Sequence, residues 1–131
     1  MISNKHRILW VDCLGALIVG IMVLLICQPL SRWGGLPTTT VIGVGIANLV
    51  YGIYSLVVAT RHPRPMFLVV MLAFANMTWL FVCVTIVVWN WQQITLFGIL
   101  HVGGEGMYVA ILGFTEWRWR RWLAIPSPPP K

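Results

Sequence analysis

Residues 66–89 read MFLVVMLAFANMTWLFVCVTIVVW, a run without one charged side chain. At ~1.5 Å per residue a helix of that length crosses the ~30 Å hydrocarbon layer of a bilayer. Near its middle stands one strongly polar residue, Asn76. Three further apolar stretches, 8–28, 38–60 and 94–116, have the same character and carry Asp12, Asn48 and Glu105. Their lengths suit membrane helices better than barrel strands, and polar groups inside such helices are costly enough to need a reason.

Composition agrees: 59% of the 131 residues are hydrophobic and 9% are charged, against roughly a quarter charged in ordinary soluble domains. No segment suits a separate soluble domain, so residues 1–131 read as one polytopic unit with a Pro-rich tail at 124–131. The net charge of +6 does not indicate nucleic acid, because the basic residues sit in short clusters beside the apolar runs. Lys5, His6 and Arg7 precede the first run, Arg61, His62 and Arg64 separate the second from the third, and Arg118, Arg120, Arg121 and Lys131 follow the fourth. The first loop carries Arg32 and the third loop no basic residue. By the positive-inside rule both termini and the middle loop face the cytoplasm of an inner-membrane protein. Trp33, Trp89 and Trp91 fit an outer interfacial belt, Trp10, Trp117, Trp119 and Trp122 an inner one, and Trp79 falls deep in a span.

Breakers mark the connections: Pro29 and Gly34-Gly35-Leu36-Pro37 in loop one, Pro63 and Pro65 in loop two. The first run is too long for a secretory signal and should stay as a helix. Cys13, Cys27 and Cys83 lack CxxC spacing and read as small apolar residues.

Comparing the halves aligns Asp12 with Asn76, Gln28 with Gln92, Asn48 with Glu105, Tyr51 with Tyr108, Arg61 with Arg118 and Arg64 with Arg121, the shift in register being taken up by Ser31 to Pro37. The expected fold is therefore an all-α membrane protein of four transmembrane helices, a duplicated helical hairpin with a parallel pseudo-twofold axis. Equivalent polar residues converge on such an axis. Small-residue pairs at Ala16/Gly20, Gly43/Ala47 and Gly106/Ala110 permit close helix approach.

The residues that could carry chemistry are few. His101, Glu105 and Tyr108 share one stripe of the fourth helix, with Gly103, Gly104 and Gly106 leaving room beside Glu105. Glu105 at mid-membrane should be protonated, hydrogen-bonded by Asn48, Asn76 or a tyrosine, or paired with His101. It reads either as an interhelical clamp or as a proton or ligand site. Asn48, Tyr51 and Ser55 make a stripe on the second helix, and Asn76, Trp79 and Cys83 one on the third. Asp12 is expected to pair with Arg7, Arg61, Arg118 or a tyrosine hydroxyl, or, if deeper, to join Glu105 in a two-carboxylate proton route. No catalytic triad, phosphate loop, metal ligand set or cofactor motif is visible.

Val11-Asp12, Gly35-Leu36-Pro37, Tyr51-Gly52 followed by Arg61, Asn76 three residues before Trp79, and Thr95 with Gly98 occur in this order along most of the chain. In this it resembles small bacterial integral membrane proteins of four helices, a group without an assigned activity, and the resemblance implies fold and membrane location. In outline it is also similar to small multidrug exporters, which place an essential Glu in the first helix where this chain has Asp12. The leading expectation is a non-enzymatic accessory subunit or apolar-ligand-binding bundle. The alternative is a proton-coupled carrier or channel acting as a dimer. Expected partners are the lipid bilayer and either a second copy or a larger membrane complex, and no nucleic acid.

Overall fold

The computed structural model describes residues 7–125. It contains five helices: α1 Arg7–Leu25, α2 Cys27–Gly34, α3 Thr38–Thr60, α4 Met66–Trp89 and α5 Leu96–Leu123. All but the short α2 are long and apolar enough to cross a membrane. Large apolar side chains point outward along them, Ile18 60% and Phe81 70% exposed among others. Such a surface is untenable in water and ordinary in lipid. The chain is a multi-pass membrane bundle of helices.

α1 packs against α3, and α4 against α5. Glycines set both seams. A Cβ at Gly45 or Gly52 of α3 would lie 2.8 Å from Leu24 or Leu17 of α1, and one at Gly20 of α1 would lie 2.9 Å from Leu49. In the second hairpin, a Cβ at Gly106 would lie 2.8 Å from Cys83 and one at Gly113 2.8 Å from the Ala73 carbonyl. Where lipid is as apolar as the side chains, such close backbone approach is a main source of helix association. Of the small-residue pairs expected in the seams, Gly20 and Gly106 lie there, whereas a Cβ at Gly43 would meet nothing within 4 Å.

Two apolar plugs close the bundle at its ends. Leu9, Val58, Val69, Leu72 and Leu123 pack at the end that carries residues 7 and 125, with Trp119 against them. Val23, Leu30, Leu36, Val41 and Val102 pack at the opposite end. The polar residues lie between.

Three boundaries differ from the sequence expectation. First, loop one is largely helical. Ile26 N–H donates to Met22 and Leu30 N–H to Ile26, both at 3.0 Å, so the chain runs on into α2. Pro29 sits in the first turn of α2, where its missing N–H is no loss. The helix stops at Gly35, whose φ of 63° is left-handed and favours glycine. Beyond it Thr95 ties the connections together: its N–H donates to Gly34 O at 3.0 Å, its hydroxyl donates to Trp33 O, and it caps α5 by accepting from Gly98 N–H at 3.2 Å.

Second, α5 continues past residue 116 to Leu123. Arg120 and Arg121 occupy its last turn, where positive charge suits the helix dipole, and Arg120 stacks over Trp117 at 4.3 Å. Third, Arg64 is buried between its two prolines, 2% exposed. Its guanidinium donates to the carbonyls of Val58 at 2.6 Å, Leu123 at 3.0 Å and Ala59, and its backbone pairs with Ile125. It thus caps the C-termini of α3 and α5 together. Burial pulls its pKa down from the ordinary arginine value. Lys5, His6 and the tail from Pro126 to Lys131 lie outside the described residues.

Gly35→Ala should cost at least ~1–2 kcal/mol, because the new side chain would be held at positive φ and would strike the Gln93 carbonyl. Gly43→Ala, with open space at its Cβ, should leave stability unchanged or slightly raised. Reversible unfolding in mixed micelles separates the two.

Candidate functional site

Between the plugs lies a cavity of about 160 Å³ to which α1, α3, α4 and α5 all contribute walls. Small residues, Gly15 and Ala16 on α1, Ala47 on α3 and Ala75 on α4, keep it open. Its polar wall consists of Asp12, Asn48, Tyr51, Asn76, Glu105 and Tyr108, with Trp79 beside them.

These groups bond across the two hairpins. Asn48 on α3 donates Nδ2–H to Glu105 Oε1 on α5 at 2.8 Å. Asn76 on α4 donates Nδ2–H to Asp12 Oδ1 on α1 at 3.1 Å. Two of the pairs that the comparison of halves aligns, Asp12 with Asn76 and Asn48 with Glu105, thus meet. Trp79 Nε1–H donates to the same Glu105 oxygen at 2.9 Å, so this deep tryptophan faces the interior.

Asp12 is 3% exposed. Its Oδ2 accepts from the Tyr51 hydroxyl at 2.7 Å and the Ser55 hydroxyl at 2.6 Å. Of the partners expected for Asp12, the tyrosine hydroxyl is the one found there. Every hydrogen bond given to it comes from a neutral donor.

Sequence reasoning missed Glu116. It is fully buried, 0% exposed, and its Oε2 accepts from Asn76 Nδ2–H at 3.0 Å. The signal was available: Glu116 follows Glu105 by eleven positions, about three helical turns, and so shares its face. It was passed over because residue 116 was read as the end of the span. Two carboxyl oxygens in the bundle, Glu105 Oε2 and Glu116 Oε1, are buried without a hydrogen-bond partner, and such groups call for an explanation.

The stripe of His101, Glu105 and Tyr108 is divided by depth. Glu105 and Tyr108 line the cavity, while His101 stacks on Phe97 with ring centroids 6.0 Å apart and lines a smaller space with Leu30 and Gly34 of α2. Although one turn away, it packs toward Phe97 and α2 and not onto Glu105, whose Oε1 accepts from Asn48 and Trp79. Of the glycines around Glu105, Gly106 is filled by Cys83, while Cβ atoms at Gly103 and Gly104 would meet nothing within 4 Å. Tyr108 is 49% exposed and its hydroxyl lies 3.9 Å from where a Gly15 Cβ would stand, so it marks the α1–α5 side of the cavity. Among the described residues no group of three or more His, Cys, Asp or Glu side chains is arranged to hold a metal ion.

The arrangement can accept hydrogen bonds or a positive charge from a small occupant and can hold protons. Asn76→Leu should destabilise the bundle by roughly 2–6 kcal/mol, since it strips a donor from two buried carboxyl groups at ~1–3 kcal/mol each. Asn48→Leu, which strips one donor from Glu105 while Trp79 still donates to it, should cost about half as much. Unfolding free energies of the two variants in the same micelles check the ratio.

Comparison with protein-family models, with curated proteins and with solved structures finds no match. The functional reading accordingly rests on the chemistry of the cavity and its wall.

Proposed function

We propose that this protein is a non-enzymatic membrane bundle that binds a small, mainly apolar molecule bearing one hydrogen-bond donor. The observation that carries this reading is the cavity itself, walled largely by small and apolar surface, with the Glu105 carboxyl group beside it and one oxygen of that group, Oε2, left without a hydrogen-bond partner. A donor on the ligand would bond the Glu105 carboxyl group once that group turns its unpartnered oxygen toward the cavity, and the alanine and glycine walls would hold the ligand's apolar body. The volume, about 160 Å³, suits a molecule of roughly benzene's size. Pockets of this kind, apolar with a few convergent polar groups, are the usual form of a ligand site. The clustering of Arg7, Arg61, Arg118, Arg120 and Arg121 near the end that carries residues 7 and 125 favours an inner-membrane orientation with both termini cytoplasmic. A C-terminal reporter active only in the cytoplasm tests that orientation.

Proton-coupled carriage is the second reading, and it draws on the same oxygen. An acid held by two neutral donors can exchange a proton with an occupant, and a dimer would widen the path through so narrow a bundle. Glu105→Gln retains an acceptor for Asn48 and Trp79 but cannot ionise. Loss of pH-dependent uptake in liposomes with folding intact would favour the carrier, and unchanged uptake would exclude Glu105 from it.

Native mass spectrometry of protein extracted in gentle detergents should detect a small molecule bound at one per chain in the wild type and none in Gly15→Leu. The leucine would project beside Tyr108, where the Cβ has room, and fill the cavity without prying the helices apart. A ligand-free wild type across several detergents would sink the binding proposal. The same masses read a second copy or further subunits.

A further inference from the structure

We propose that Asp12 and Glu116 form a proton-binding carboxyl pair, bridged by Asn76, with the proton on Glu116 and the charge on Asp12. The geometry is asymmetric. Asp12 accepts three hydrogen bonds, two on Oδ2 from Tyr51 and Ser55 and one on Oδ1 from Asn76. Several donors aimed at one carboxylate favour its charged form. Glu116 accepts one, from the same Asn76 nitrogen, and its Oε1 is buried with no partner. A bare carboxylate oxygen in that setting is far costlier than a bare hydroxyl.

Asn76 also limits the alternatives. An amide nitrogen has two hydrogens, and here each acid receives one. Two carboxyl groups that share a donor this closely repel strongly when both are charged and little water screens them. One proton for the two acids is the state that satisfies the most groups.

The titratable groups near the pair are Cys13 beside Asp12 on α1 and Tyr51 on α3, whose hydroxyl donates to Asp12, with Glu105 further along α5. From α4 the pair meets the non-titrating Asn76. Arg64, at the end with the chain termini, is engaged with the carbonyls of Val58, Ala59 and Leu123. Asp12 and Asn76 line the cavity and Glu116 does not, so the charge stands at the cavity wall and the proton behind it. This site holds whether or not the cavity binds an organic ligand.

The chain has one aspartate and two glutamates, which makes the test direct. Full-length protein in lipid bilayers, labelled with ¹³C at the side-chain carboxyl of aspartate or of glutamate, is titrated by solid-state NMR, with Glu105→Gln assigning the two glutamate signals. At neutral pH the Asp12 signal should be that of a carboxylate and the Glu116 signal that of a protonated acid. Raising the pH should convert Glu116. In Asp12→Asn, with the neighbouring negative charge gone, that conversion should move to lower pH by at least about one unit, a tenfold change in proton affinity. A charged Glu116 in the wild type at neutral pH overturns the proposal, as does a conversion that Asp12→Asn leaves in place. Should Asp12→Asn fail to fold, the wild-type labels still decide.

Discussion

One nitrogen joins most of the bundle. Asn76 Nδ2 on α4 donates to Asp12 on α1 and to Glu116 on α5, and Asp12 in turn accepts from Tyr51 and Ser55 of α3. Every spanning helix is thereby tied to a single polar cluster. In a medium without water each of these groups needs a partner within the protein, so the helices cannot slide or rotate without exposing one of them to hydrocarbon. The second bridge, from Asn48 to Glu105, crosses between the hairpins at another level of the same layer. Together the two bridges fix how one hairpin sits on the other.

Packing sets the distance at which those bonds can form. Within each hairpin the glycine seams bring backbones close, while between hairpins the helices stand further apart and leave the cavity. The apolar plugs close the layer off at both ends. Arg64 then binds the last carbonyls of α3 and α5, and Thr95 binds the last carbonyls of α2. The outcome is a structure whose two ends are pinned by backbone carbonyls and whose middle is held by side chains, with two carboxyl oxygens left without a donor.

Much of this was legible in the sequence, for identifiable reasons. The comparison of halves aligned Asp12 with Asn76 and Asn48 with Glu105, and each of these pairs is joined by a hydrogen bond. Other features were hidden. Glu116 stands beside Trp117 and Arg118, which resemble an interface, although α5 continues past them to Leu123. His101 shared the right face of α5, but helical spacing gives angle more firmly than it gives the depth of a neighbouring cavity. Arg64 looked like one more positive-inside charge, although its flanking prolines turn it inward onto free carbonyls. Pro29 looked like a terminator, yet a proline in a helix's first turn breaks nothing.

By itself the sequence determined the solvent, the number of spanning helices and the identity of the polar residues they carry inside. Those follow from local quantities: the length of an apolar run against the thickness of a bilayer, and the cost of one polar group within it. The tertiary structure decided which donor serves which acid, that two acids share one amide, and that two carboxyl oxygens are left without partners. These depend on how far apart the two hairpins stand and at what level each helix meets the next. Residues distant in the chain set that spacing together, and no local pattern contains it.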